Sequence, residues 1–387
     1  MKILAIHNIL WSHYKAKIFT ELHQRLQKEG TDFFVLQLAF SELSRLGLKT
    51  DLSIHTYPYE VLFPGKAIEH IGHVEKAKKL LAALRQHRPG IVYLNGYYDP
   101  SYWLVMAYCK SRNIKIVLDF ESSEISRRRV WWKEDLKKIF LSQCDALVCL
   151  GQKAAEYAQK LGVPRNRIMS VKNVGVDNDA LLEIFTRELP LREQRKAKTG
   201  LPKYNFLYAG RFVERKNLDM FIRAFHEAKN SAANGHEWGL ILSGEGNQKP
   251  KLQELVRSLG GDNWAQWMEP CEWYEVPIRY TLADVAVLPS TFEPFGFVTN
   301  EAMVYSMPIL VSERCGSAHD LVIDGLNGFR FDPHNEADFT GKLLWFMDHP
   351  AKFRQMGSNG KAIIDQWSPD IITEELIQSF HKVSLHG

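Results

Sequence analysis

The chain has 387 residues, 45% hydrophobic and 24% charged, with 49 basic against 45 acidic side chains and a formal net charge of +4. At about 150 residues per domain, that length predicts two domains, each able to bury its own core. The balance excludes fibrous and low-complexity chains, and so small a charge excess would not by itself hold nucleic acid at physiological salt.

In chain order, KILAIHN (2–8) reads as a strand before an amphipathic stretch at 15–28. IVYLNG (91–96) precedes a similar stretch at 101–111, IKIVLDF (114–120) one at 131–143, and ALVCLG (146–151) one at 152–161. A second series begins with NFLYAG (205–210) and a helix over 217–229, followed by WGLILSG (238–244) and a helix over 248–259. DVAVLPS, PILVSE and GFRFD continue it with helices between them, and a last helix is predicted at 371–384. Aliphatic strands alternating with helices of this length predict crossover units and parallel sheets buried on both faces.

The fold class is therefore α/β: two doubly wound, Rossmann-like domains whose strand ends line a cleft between them. The predicted boundaries are 1–180 for the first domain, 181–200 for a charged linker, and 201–366 for the second domain. Residues 367–387 are expected to form a helix crossing back to the first domain.

GRFVERKN (210–217) follows directly on a strand. Gly210 permits a tight turn, and Arg211 and Lys216 set two cations beside the start of the next helix, a place suited to a diphosphate. A second glycine turn, SGEG (243–246), includes Gly244 and ends the next strand at the same sheet edge. In the segment 289–333, Glu293 sits in a turn and Glu301 eight positions later, with Phe295, Gly296 and Phe297 between them. One carboxylate can accept bonds from sugar hydroxyls and the other from a ribose.

The 289–333 segment resembles the Glu-x7-Glu region of the retaining glycosyltransferases of family 4, which have the GT-B fold, and GRFVERKN resembles that family's Gly-Arg…Lys diphosphate clamp. ILSGEG, DVAVLPS, LNGF, NVGVD (173–177) and GQKAAEYAQKLGVPRNRI extend the resemblance over roughly residues 90 to 335. The resemblance implies a retaining transfer from a nucleotide-sugar, a UDP- or GDP-sugar foremost, to a saccharide or lipid-linked acceptor, with no cofactor and no metal. It assigns Arg211 and Lys216 to the diphosphate, Glu301 to the ribose, Glu293 to the transferred sugar, and the backbone of Phe295, Gly296 and Phe297 to sugar and phosphate. Base recognition is expected to rely on backbone groups around 269–273.

The first half departs from the family pattern: HNILWSHYK stands where many relatives have a glycine-rich loop, and LNGYYD or DFESSE where many have a histidine. His7, Asn95, Tyr98, Asp99 and Glu121 lie at predicted strand ends and are candidates for the acceptor side or the chemistry. A nicotinamide-dependent oxidoreductase would need a Gly-x-Gly-x-x-Gly turn after the first strand, which HNILWSHY lacks. A non-catalytic nucleotide-sugar-binding protein of the same fold remains the other alternative.

The five cysteines, at 109, 144, 149, 271 and 315, form no Cys-x-x-Cys pair. Sparse thiols in apolar runs suit a reducing compartment, so a cytoplasmic protein is expected. No run reaches the roughly 18 apolar residues of a membrane span. SRRRVWWKEDLKK (126–138) combines Arg127, Arg128, Arg129 and Lys133 with Trp131 and Trp132. Basic residues interleaved with tryptophan suit an anionic bilayer surface, so peripheral attachment to the inner face of the membrane is expected. The alternative is a solvated helix whose tryptophans pack inward.

Overall fold

A computed structural model describes residues 1–10, 13–43, 51–124, 130–172 and 177–385. By contact density the chain divides into two compact units, Met1–Asp177 with Trp367–Gly387, and Asn178–Gln366.

The first unit contains β1 (Lys2–Ile9), α1 (His13–Lys28), β2 (Asp32–Ala39), β3 (Tyr59–Phe63), α2 (His73–His87), β4 (Ile91–Asn95) and α3 (Pro100–Ser111). It continues with β5 (Lys115–Phe120), α4 (Trp131–Ser142), β6 (Ala146–Cys149), α5 (Gln152–Lys160) and β7 (Ile168–Ser170). The second unit begins with α6 (Asn178–Glu188), α7 (Arg192–Thr199), β8 (Tyr204–Ala209), α8 (Leu218–Ser231), β9 (Trp238–Ser243), α9 (Lys249–Ser258) and β10 (Ala265–Met268). There follow α10 (Val276–Thr281), β11 (Val285–Leu288), α11 (Phe297–Val304), β12 (Ile309–Ser312), α12 (Gly316–Leu321), β13 (Gly328–Phe331), α13 (Glu336–Asp348) and α14 (Phe353–Ile364). The closing helix α15 (Pro369–Leu385) belongs to the first unit.

Each unit is built on one sheet, ordered β3-β2-β1-β4-β5-β6-β7 in the first and β10-β9-β8-β11-β12-β13 in the second. The paired strands run parallel, and β6, β9, β11 and β12 are buried along their whole length, as helices on both faces require. One face of the first sheet is closed by α15, whose Ile372, Leu376, Ile377, Phe380 and Val383 join Ile3, Phe19, Tyr93 and Val117 in a single apolar cluster. In the second unit, Phe206, Tyr208, Phe225 and Trp238 anchor the core.

The structure differs from the sequence reading in the expected linker. Residues 181–200 fall within α6, α7 and the turn joining them, and α6 packs on α10 and α11 of the second unit. Arg192 closes this region onto β11 by donating to the Thr281 and Ala283 carbonyls and to Asp284 Oδ1 at 2.7 Å. A charged, proline-bearing segment thus becomes ordered through partners far along the chain. Among the described residues, no helix is long and apolar enough to cross a membrane.

Candidate functional site

In the second sheet, β8 lies between β9 and β11, so the strand order reverses there. At such a reversal the crossovers leave in opposite directions and open a crevice at the strand C-termini. The turns after β8 and β11 meet at that point, although they are distant in sequence. Thr291 donates to the Arg215 carbonyl through both its backbone N–H (2.8 Å) and its hydroxyl (3.2 Å).

Glu293 is held at this junction. Its Oε1 accepts from Lys216 Nζ at 2.5 Å, Arg215 Nη1 at 2.8 Å and Ser290 Oγ at 3.1 Å. From the other side, Glu293 N–H donates to the Arg314 carbonyl, Gly316 N–H to the Glu293 carbonyl, and Ser317 N–H to the Phe295 carbonyl, at 2.9 to 3.2 Å. Burial works to raise the Glu293 carboxyl, but the charges and hydrogen bonds of Lys216 and Arg215 outweigh it and hold the group below its ordinary value. Among the described residues no protein group bonds Oε2, so an ionised carboxylate presents one oxygen to an incoming hydroxyl.

The glycine turns also meet. Gly210 N–H donates to the Ser243 carbonyl at 2.9 Å, and Phe212 N–H to the Glu245 carbonyl at 2.7 Å. Gly244 adopts φ +144, and a Cβ there would lie 1.9 Å from the Gly210 carbonyl oxygen. Only glycine allows the second turn to support the first this closely. Arg211 is exposed; its carbonyl accepts from Tyr208 Oη at 2.8 Å, and among the described residues no carboxylate partners its guanidinium.

Phe295 is buried, and Gly296, at φ +101, turns the chain into α11, whose first-turn N–H groups lack intrahelical acceptors and favour anions. Phe297 opens that helix. Glu301 lies one turn on and accepts from Tyr280 Oη at 2.8 Å. Burial pushes its carboxyl up to about 7, against the opposing effect of the Tyr280 bond.

In the first unit the order reverses between β1 and β4. Asn8 Nδ2 donates to Asn95 Oδ1 there, and Asn95 Nδ2 to Asp119 Oδ2 at 3.2 Å. The same Asp119 oxygen accepts from Lys15 Nζ at 2.9 Å, a buried ion pair that the sequence reading did not single out. Glu121 is exposed just beyond β5. Tyr98 is 69% exposed, stacked on Tyr97 at 4.2 Å with its hydroxyl bonded to Ser122 Oγ at 2.6 Å.

Two candidates are occupied by the scaffold. His7 is buried within β1, its Nδ1 2.9 Å from Gln37 Oε1, and burial lowers its pKa to about 4, so it is a neutral interior group. Asp99 caps α3, accepting from Ser101 N–H at 2.9 Å and from Lys76 and His73. Burial would raise its carboxyl, yet the Lys76 and Ser101 bonds bring it down to about 2.

On α4, Trp131 and Trp132 are 78% and 47% exposed, with Leu136 and Ile139 also exposed, so these tryptophans do not pack inward. The Lys133 ammonium lies 5.3 Å from the centre of the Trp132 ring. Arg127, Arg128 and Arg129 lie outside the described residues, as do residues 173–176 of the NVGVD segment.

Comparison with known proteins bears on the family and the fold. The family model for Glycosyl transferases group 1 matches residues 192–363, and that for Glycosyltransferase Family 4 matches residues 16–179. Over 216 residues the chain is 29% identical to D-inositol 3-phosphate glycosyltransferase 2 of Catenulispora acidiphila, covering 54% of this chain and 49% of that protein. The chain thus spans about half the length of such relatives. Sucrose-phosphate synthase from Thermosynechococcus elongatus superposes with a TM-score of 0.74 at 16% identity, covering all of both chains. Anabaena HepE in complex with UDP and glucose gives 0.74 at 17% identity, covering 99% of this chain and 100% of that one. At such identities these structures speak for the fold alone.

Proposed function

Because the chain belongs to the group 1, family 4 glycosyltransferases of GT-B fold, we propose that it transfers a sugar, with retention, from a nucleoside-diphosphate donor to a saccharide or lipid-linked acceptor. One observation carries this reading: Glu293 is held ionised at the β8/β11 reversal by Lys216 and Arg215, both of which bond the same oxygen, Oε1. When the bond between sugar and diphosphate breaks, negative charge gathers on the departing oxygen. The cations of Arg211 and Lys216 stabilise that state more than the ground state. Glu293 accepts a hydroxyl of the transferred sugar and orients it, while Glu301 accepts from the ribose. The acceptor hydroxyl then attacks from the face the diphosphate leaves, and a diphosphate oxygen removes its proton. Two cations already engage Glu293, which supports a role in orientation over one as a nucleophile. By analogy with the UDP in the Anabaena complex, a uridine donor is proposed.

The exposed apolar edge of α4 supports an acceptor met at a membrane surface, in the biosynthesis of a cell-surface glycan. Trp131, Trp132, Leu136 and Ile139 would enter the interface, with Lys133 meeting anionic headgroups.

The test is a thermal-shift titration with UDP, GDP, ADP and dTDP, followed by assay of nucleoside diphosphate release from the matching donor. A nucleotide at 100 times its dissociation constant stabilises by about 2.7 kcal/mol. Failure of all four to stabilise the protein would overturn the proposal, and binding without turnover would leave the non-catalytic alternative.

A further inference from the structure

We propose that Arg215 is a positioning residue that neutralises Glu293 and so leaves the charge of Lys216 to the donor diphosphate. This rests on the donor-site reading above, and concerns a side chain outside the Gly-Arg…Lys pattern.

Lys216 bonds Glu293 at 2.5 Å, with side chains 12% and 9% exposed, so the two charges are largely withdrawn from water. Lys216 alone would form a neutral pair with Glu293, leaving Arg211 as the only uncompensated cation of the two assigned to the diphosphate. Arg215 changes the sum, because two cations against one carboxylate leave a net +1.

Arg215 is fixed for this task. Its Nη1 donates to both Glu293 Oε1 (2.8 Å) and the Phe292 carbonyl (3.2 Å), while its own carbonyl accepts twice from Thr291. The guanidinium therefore stays with Glu293 when the flexible lysine head turns toward phosphate, since a planar fork loses less freedom per bond than an ammonium. Three further groups face the carboxylate from neighbouring elements. Tyr208 on β8 and Cys315 before α12 are neutral, burial raising both hydroxyl and thiol, and Ser290 Oγ donates to Oε1. None of them supplies the positive charge.

The experiment is a double-mutant cycle read by titration with UDP and GDP. Arg215→Gln keeps a polar amide but carries no charge, and should weaken nucleoside diphosphate binding by about tenfold, the scale of one charge-assisted bond. Arg215→Lys should restore most of the loss. Adding Glu293→Gln to Arg215→Gln should also restore it, because Lys216 then has no carboxylate to neutralise. A purely structural role, or direct contact of Arg215 with phosphate, predicts no recovery in the double variant, and that result overturns the proposal. Unchanged affinity in Arg215→Gln overturns it as well. If Lys216→Met leaves nucleotide affinity unaltered, the donor-site reading itself fails and takes the proposal with it.

Discussion

Lys216→Met keeps the aliphatic stem and removes the ammonium, leaving Glu293 buried with Arg215 and Ser290 as its remaining partners. Across 2.5 Å, at an effective dielectric of about 20, the lost attraction is about 7 kcal/mol before the cost of desolvating both groups is subtracted. Breaking a buried pair typically costs about 3–5 kcal/mol. With one cation and one hydroxyl left in place, we expect about 2 kcal/mol at pH 7, or about 4–8 °C in Tm for a unit of this size. The pH dependence follows from the sign of the shift. In the wild type the Glu293 carboxyl lies below its ordinary value of 4.5, so its contribution is complete above that value and is lost as pH falls through the folded one. Without Lys216 the effect of burial gains weight and the folded carboxyl moves upward, which penalises the folded state as pH rises. The Tm deficit should therefore be largest near pH 8 and shrink toward pH 4.5, as scanning fluorimetry across that range would record. A deficit independent of pH would refute the reasoning, since an apolar packing defect behaves that way.

Further outcomes are expected. Glu301, raised to about 7, should bind ribose hydroxyls better when ionised, so nucleotide affinity should rise between pH 6 and 8 in the wild type and be flat in Glu301→Gln. The same shift makes the folded state bind more protons than the unfolded, so Glu301 lowers stability as pH rises from 4.5 toward 7, a slope that Glu301→Gln should remove in Tm measurements. Gly244→Ala, which sets a Cβ 1.9 Å from the Gly210 carbonyl at a positive φ, should destabilise by about 3 kcal/mol or more, whereas Gly30→Ala, with open space around its Cβ, should cost clearly less in the same unfolding assay. Arg211→Ala should lower turnover about a hundredfold at saturating donor without moving Tm, because its guanidinium is exposed. In vesicle sedimentation at low salt, the wild type should pellet with anionic but not neutral lipid, and Trp131→Ser with Trp132→Ser should abolish pelleting while nucleotide binding stays intact.

The sequence by itself determined the α/β class, the strand–helix alternation and the two segments, 210–217 and 289–333, that meet at the β8/β11 reversal, because each is a contiguous pattern. A buried parallel strand is a short aliphatic run, and Gly210 to Lys216 is a single turn attached to one. Strands β2, β3, β7 and β10 escaped that reading: the largely buried apolar run of β2 has no alternation to separate it from helix, and β3, β7 and β10, three to five residues long, add little signal. Asp99 read as a site residue until it was seen to cap α3 and to be occupied by Lys76 and His73.

Only the tertiary structure decided which groups share a charge. Arg215 and Glu293 are brought together because β8 and β11 are adjacent at the point where strand order reverses, and sequence spacing carries no record of strand order. Lys15 on α1 and Asp119 on β5 likewise form their buried pair only once β1 and β5 are set on either side of β4. Gly244 appeared in the sequence as one glycine turn among several, and its requirement for glycine arises from a carbonyl oxygen on a neighbouring strand's turn. Periodicity and turn chemistry are local and survive in the linear chain, whereas ion pairing and backbone close approach depend on distances that exist only after the sheets assemble.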